Sequence, residues 1–349
     1  MIMSLNTLKF SANGVEFTGA QVVQLAVDSY KGIPTQYSAD MTSATLRQAL
    51  IAANNGKDHI DKRDIRDGKC GAVFAIIEEV ITKTVIDGLQ GNEFFMNMVE
   101  YKNLALGDKN EFYVPDDTLF KVAEIARGTQ GIRAQRLTGG TSFSVDIKTY
   151  GVKIYEEIDR VLSGRVDFTE MINRVGQSIA KQQYEEIFKT WTSLTTPTVS
   201  GSTYMPATGS YSEGALLELC EHVEVNNDAT PVIMGTREAL RQVKTAEVSD
   251  EAKSDLYNIG YYGNFNGIPM IRIKQIHKTN TDEFLLPNKQ LYVIGTSTKP
   301  IKYVTEGNSF INTRSTFDNA DYTSEYMVTY NAGVSIILPD KRIGVYTMS

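Results

Sequence analysis

Asp58, Asp61, Asp64 and Asp67 recur at every third position, a spacing that could gather carboxylates around a divalent cation. Lys57, Lys62, Arg63, Arg66 and Lys69 are interleaved with them, so the charges largely cancel, and the D-x-D-x-D-G order of a calcium loop is absent. The segment reads as a solvated charged turn or short helix. His59, His222 and His277 are scattered, with none of the spacings by which one turn presents two zinc ligands. Gly176-Gln-Ser-Ile-Ala180 approaches the hydrolase elbow G-x-S-x-G but lacks the last glycine and sits inside a helical pattern. No segment matches the phosphate loop GxxxxGK[ST]. The loop from Tyr257 to Gly267 is rich in glycine and aromatic residues but lacks a strand–Gly–helix setting, and it reads as an exposed contact loop. The residues therefore point to no catalytic group, no cofactor and no metal.

The chain has 349 residues with 35 basic and 42 acidic side chains, a formal charge of -7. That acidity argues against a dedicated nucleic-acid binder while leaving room for weak contact through a local basic face. With 42% apolar residues there is ample material for a core. The longest apolar run, Ala72–Ile77, falls far short of the ~18 residues of a membrane span. The opening Met1-Ile-Met-Ser-Leu-Asn has no basic region leading into an apolar stretch, so no secretory leader is expected. Cys70 and Cys220 lie far apart and read as two reduced, buried thiols.

The elements that must position whatever the protein does follow from periodicity. The first thirty residues show no sustained period and read as an arm with short extended pieces. Ser43–Asn54 carries Leu46, Ala49, Leu50 and Ala53 at helical spacing. Ala72–Asp87 presents a broad apolar face that Gly88 should end. Glu111–Val114 reads as a strand closed by Pro115.

Leu119–Ala126 alternates, with Phe120 and Val122 on one side, and Thr141–Tyr150 alternates with Phe143, Val145 and Ile147 on one side. Between them, Arg127 to Gly140 is a polar, glycine-rich tip bearing Arg127, Arg133 and Arg136. The two strands predict a long hairpin whose apolar face needs a cover, either this chain's own core or a neighbour. Both remain open at this point.

Val152–Ile158 reads as a connecting strand. The strongest helix runs over Asp167–Trp191, started by Asp167 and Glu170 and striped by Phe168, Ile172, Val175, Ile179, Ile187 and Trp191. Ser193–Gly214, rich in Ser, Thr, Gly and Pro, reads as a crossing between domains. Beyond it the pattern is α/β: helix Glu213–Val225, strand Pro231–Met234, helix Arg237–Val248 capped by Thr236, then strands Pro269–Ile273 and Leu291–Ile294. Tyr326–Tyr330, Val334–Leu338 and Arg342–Thr347 read as closing strands that return to the long helix.

This order resembles the major capsid protein of tailed bacteriophages, the Hong Kong ninety-seven phage fold. The residues carrying the resemblance are the hairpin Leu119–Tyr150 with its continuation Gly151–Ile158, the helix Asp167–Trp191, the run Pro231–Leu240 and the turn-strand Asn266–Ile271. It implies an α+β phage capsid fold: an N-terminal arm over residues 1–70, a helix and strand of the peripheral domain over 71–117, and an E-loop hairpin and connecting strand over 118–158. A spine helix over 159–195 would follow, then an inserted α/β axial domain over 196–300 and closing peripheral strands over 301–349. It further implies a structural, non-enzymatic protein that assembles with itself into hexamers and pentamers, in a virion put together in the host cytoplasm. Scaffolding, portal and decoration proteins, and weak non-specific contact with packaged double-stranded DNA, are the other implied partners; a membrane is not. The hairpin would lay its Phe143, Val145 and Ile147 face on a neighbour. Its tip, with Arg127, Arg133 and Arg136, would meet acidic residues such as Glu156 and Glu157. Gly128, Gly131, Gly139 and Gly140 would allow the hairpin to pivot.

Rival readings are an encapsulin-type shell around a cargo enzyme, a tail or baseplate protein, and an α/β enzyme with a site near Glu221, His222, Tyr261 and Asn264. The enzyme reading lacks a nucleophile or metal cluster at a recognisable spacing.

Overall fold

The computed structural model describes residues 9–349 except 13–14, 32, 34–38, 61, 91–92, 106, 115–119, 123–133, 137–138, 156–159, 161, 166–167, 194–202, 205–208, 245–253, 255, 296–298, 315–324 and 338–342. A small antiparallel pair, β1 (Lys9–Ala12) and β2 (Val15–Thr18), opens the described chain. Helices α1 (Gly19–Lys31), α2 (Ala39–Ala53), α3 (Lys62–Arg66), α4 (Gly71–Gln90) and α5 (Glu93–Met98) follow. Then come β3 (Val99–Leu104), β4 (Phe112–Val114), β5 (Thr141–Phe143), β6 (Lys148–Tyr155) and the long α6 (Phe168–Thr192). Next are β7 (Thr203–Tyr204), α7 (Glu213–Asn227), β8 (Val232–Gly235), α8 (Arg237–Gln242), β9 (Asn264–Phe265), β10 (Ile268–Arg272) and β11 (Gln290–Ile294). The chain ends with β12 (Ile301–Glu306), β13 (Phe310–Arg314), β14 (Glu325–Ile336) and β15 (Ile343–Thr347). The class is α+β, as expected.

Two sheets share one helical core. In the first, the order is β13-β14-β12-β3, with β6 on the other edge of β14. Its inner face, with Tyr303, Val328 and Tyr330, packs on α4, α1 and α6 through Val80, Ile81, Val23, Val27, Ile179 and Ile187. In the second, the order is β7-β15-β11-β8-β10-β9. One face of it, with Met234, Tyr292, Ile294 and Val345, joins the same core, where Trp191 packs against Tyr292 at 5.2 Å and edge-on against Phe94 at 5.5 Å. The other face carries α7 and α8 over a separate cluster that includes Leu219, Val223, Leu240 and Leu291. Because side chains alternate along a strand, β8 and β11 feed both cores.

A polar clamp fixes α4 to the turn before β13. The Ser309 amide donates to the Thr82 hydroxyl, the Ser309 hydroxyl to the Glu78 carbonyl, and the Ile311 amide to the Glu78 carboxylate at 2.7 Å. Burial holds the Glu78 carboxyl above the usual carboxylate range, with the Ile311 hydrogen bond acting in the opposite sense.

Several expectations are corrected. Residues 19–31 form a helix and not an extended arm: Thr18 and Gln21 cap one another reciprocally, and Val22, Val23, Ala26 and Val27 are buried in the main core. The described part of 1–70 is therefore largely helical and packed. Gly88 does not end α4 but lies within it, where the surface of Ala180 on α6 comes close. Ile343–Thr347 pairs with β11 in the second sheet and not with the other closing strands, β12 to β14, though Ile343 and Val345 still reach the core of the long helix.

The largest correction concerns the hairpin. Thr141–Phe143 pairs with Phe112–Val114, so its partner strand lies before Leu119, outside the expected hairpin Leu119–Tyr150. Residues 120–122 carry no regular structure, and 144–147 break the expected strand Thr141–Tyr150 in two. Val145 is buried, and Phe143 and Ile147 half-buried, against Phe112, Val304 and Ile337 of the same chain. The Phe143/Val145/Ile147 face thus packs on this chain's own first sheet, with Val145 buried and Phe143 and Ile147 still partly open. Gly333 permits it: a Cβ there would stand 2.4 Å from the Asp146 carbonyl oxygen.

Two outcomes follow. A carboxyl with a raised folded-state pKa weakens the fold above that pKa, and the penalty disappears as pH falls through it toward the unfolded value. Glu78→Gln keeps an acceptor for the Ile311 amide, so it should raise the thermal midpoint at neutral pH and leave no difference under acid; scanning calorimetry at two pH values checks this. Gly333→Val should lift residues 144–147 from the sheet at a cost of about 1–3 kcal/mol. A urea midpoint lowered accordingly, with faster proteolytic cleavage in 115–140, is the expected reading.

Candidate functional site: an assembly surface

Among the described residues no group of His, Cys, Asp or Glu is placed to hold a metal ion. Asp58, Asp64 and Asp67 are each engaged with neighbouring basic side chains, while Asp61 lies outside the described residues. Asp64 is buried between Lys57 and Lys69, and the Lys57 hydrogen bond holds its carboxyl below the usual range. His59 pairs with Asp58, His222 stacks on Tyr204 and lies 3.9 Å from Glu218, and His277 packs against Phe284. Both cysteines are free and buried, and burial pushes the Cys220 thiol up to about 12, far from a reactive thiolate. A cleft of ≈ 610 Å³ opens beside α8, but none of Glu221, His222, Tyr261 and Asn264 lines it. No described helix is long and apolar enough to cross a membrane.

What the surface does present is apolar side chains in water. Tyr113 (66% exposed) on β4, and Phe120 (52%) and Val122 (97%) in the loop beyond it, stand out. Large apolar groups exposed together mark a contact surface more often than an accident of packing. Two contacts tie described residues of the loop to one another and to β4. The Lys121 amide donates to the Gln135 side-chain oxygen at 2.8 Å, and the Gln135 side-chain nitrogen donates back to the Lys121 carbonyl at 2.7 Å. Nearer the root, the Gly140 amide donates to the Tyr113 hydroxyl at 3.2 Å, and Gly140 lies so close to Val114 that only a glycine fits. The Lys102 ammonium sits 3.9 Å over the Phe112 ring, which anchors the root to β3.

A second exposed patch lies on the outer face of the first sheet. The root of the loop covers the end of that face near Val304 and Gly333. Farther along, Phe310 (56% exposed) and Met327 (41%) remain open, Met327 lying across Gly151 of β6. A third patch is formed by Leu256, Tyr257, Ile259 and Phe284 around the cleft at α8.

Of the interface residues expected from the sequence, Arg136 is described and exposed, consistent with a basic loop surface. Arg127, Arg133, Glu156 and Glu157 lie outside the described residues, as do Gly128 and Gly131. Phe143, Val145 and Ile147 lie at the root, packed on Phe112, Val304 and Ile337. Tyr113, Phe310 and Met327 were not anticipated. Their signal was an apolar residue on the wet side of an alternating strand, visible only once the inner face is known.

No curated protein sequence matches the chain. Its shape is similar to the mature capsid of bacteriophage PhiM1, at 12% identity over 74% of this chain and 87% of that one, with a TM-score of 0.48. It is similar also to the capsid of the Helicobacter pylori bacteriophage KHP30, at 12% identity, 74% and 91% coverage and a TM-score of 0.46. The SrpI encapsulin of Synechococcus elongatus matches at 9% identity, 73% and 86% coverage and a TM-score of 0.40. A family model described as "SPbeta prophage-derived putative capsid protein YonB" matches residues 47–347. That match spans most of the chain, including every element from α3 to β15, and it, not the distant likenesses of shape, places the protein: the chain belongs to this phage capsid protein family.

Proposed function

We propose that the protein is the major coat subunit of a tailed-phage capsid, a structural protein without catalytic activity. It assembles through pentamers and hexamers into an icosahedral shell around a double-stranded DNA genome. The observation that carries this reading is the tethered loop. Tyr113, Phe120 and Val122 are held in water by a built frame, the Lys121–Gln135 bracket and the Gly140–Tyr113 contact. A frame that fixes apolar side chains outside the fold makes physical sense when another copy covers them.

In this reading the loop over 115–140 is the E-loop, α6 the spine helix of the peripheral domain, and the second sheet with α7 and α8 the axial domain. The order of elements supports the Hong Kong ninety-seven arrangement. The loop reaches a neighbouring copy with its distal half, and the open patch at Phe310 and Met327 is a suitable receiver. Arg127, Arg133 and Arg136 add attraction for acidic surface, with Glu156 and Glu157 as candidates by charge. The net charge of -7 suits a wall that confines DNA with weak, non-specific contact. Scaffolding, portal and decoration proteins are the further partners of such a shell, and the virion, assembled in the host cytoplasm, is its location.

Negative-stain electron microscopy of the purified chain over a range of concentration and salt tests the proposal. Closed shells or rings of five and six copies are expected, and Phe120→Asp with Val122→Asp should abolish them while leaving the monomer's circular dichroism unchanged. Uniform monomers of the wild-type chain under every condition, with candidate scaffold from the same genome added, would sink it.

A further inference from the structure

The second sheet bears two unlike surfaces on its helical face. α7 lies over β7, β15 and β11, and α8 over β8, β10 and β11, so the two occupy opposite halves of the sheet. The side of α7 turned away from its core presents Glu218, Glu221, His222 and Val225, all exposed, with Val225 84% in solvent. From Thr190 to Thr236 the chain contains no Lys or Arg, so this half of the domain offers nothing basic from that stretch to balance the carboxylates. Glu218 lies 3.9 Å from His222 one turn on, itself stacked on Tyr204.

The α8 half is built in the opposite sense. The cleft of ≈ 610 Å³ has exposed Leu256 and Phe284 in its lining, and Arg237 and Arg241, one turn apart on α8, stand with them against a single acidic lining residue, Glu238. Arg237 lies over Gly260, at the edge of the exposed Tyr257–Gly260 segment. One half of the domain thus offers an apolar knob among carboxylates, and the other an apolar cleft beside two guanidiniums.

We propose that these surfaces bind each other between copies: the Glu218/Glu221/Val225 face of α7 in one subunit seats in the Arg237/Arg241 cleft of the next. This rests on the shell-forming reading and states which surfaces meet. Val225 enters against Leu256 and Phe284 while the carboxylates face the guanidiniums, which favour paired hydrogen bonds to carboxylate. The contact is heterologous, joining one half of the domain to the other half of a neighbour. Repeated by rotation, such a contact closes a ring.

The test is a charge swap. One variant carries Arg237→Glu and Arg241→Glu, the other Glu218→Arg and Glu221→Arg, and ring formation is followed by sedimentation velocity and negative-stain microscopy. Each variant alone then presents like charges at every junction and should lose rings by ~10-fold or more relative to wild type. Mixed together, they restore opposite charges at every junction, but only in alternation. The mixture should therefore recover rings of six copies and none of five, a parity that neither misfolding nor a general loss of solubility can produce. Wild-type rings that persist unchanged in both variants, or a mixture that stays unassembled while each variant keeps the wild-type circular dichroism, would overturn the contact and leave the shell reading standing. A wild-type chain that never forms rings or shells, with or without scaffold, would overturn both.

Discussion

The fold depends on one helix having to satisfy two sheets. α6 has 25 residues and so runs roughly 37 Å at 1.5 Å per residue. Along its first half, Val175 and Ile179 pack into the helical layer of α1 and α4 beneath the first sheet. At its far end Phe188 and Trp191 meet Phe94 and the second sheet's Tyr292. Trp191 is fully buried, and it ties three elements that are distant in sequence.

That shared core explains how the protein can expose so much apolar surface and remain folded. Most apolar burial lies on the inner faces, in the shared helical core, so part of the first sheet's outer face can stay open. The first sheet's outer face is half covered by the root of the loop, through Val145 and Phe112 on Val304 and Ile337, and half left open at Phe310 and Met327. With the root covered firmly, Phe120 and Val122 stand in water beyond it. A ribbon with neither a root nor a partner would be marginal in water.

Charge follows the same division. The buried parts are almost free of ionic groups, and where one intrudes it is held: Lys302 pairs with Glu100, Asp64 with Lys57 and Lys69, Glu78 with a backbone amide. The unbalanced charges lie instead on α7 and α8, where a neighbour can answer them.

The helices with a strong apolar period were legible in the sequence because burial on one face imposes a pattern of 3.6 residues. Leu46, Leu50, Ile77, Val80, Leu219, Val223 and Ile187 are buried as their spacing required. Caps and turns with local chemistry were legible for the same reason: Thr236 accepts from the Ala239 amide to start α8, and Asn266-Gly267, both at positive φ, turns β9 into β10. Partner choice was not legible. Whether Thr141–Phe143 pairs with residues before or after Pro115, whether β15 joins the first or the second sheet, and whether Val145 faces its own chain or another are decided by long-range packing, and alternation reads the same either way. The absence of catalytic spacing could be read from residue types alone. Which apolar side chains remain in water, and so where copies can meet, only the tertiary structure decides, because exposure is a property of what the rest of the chain leaves uncovered.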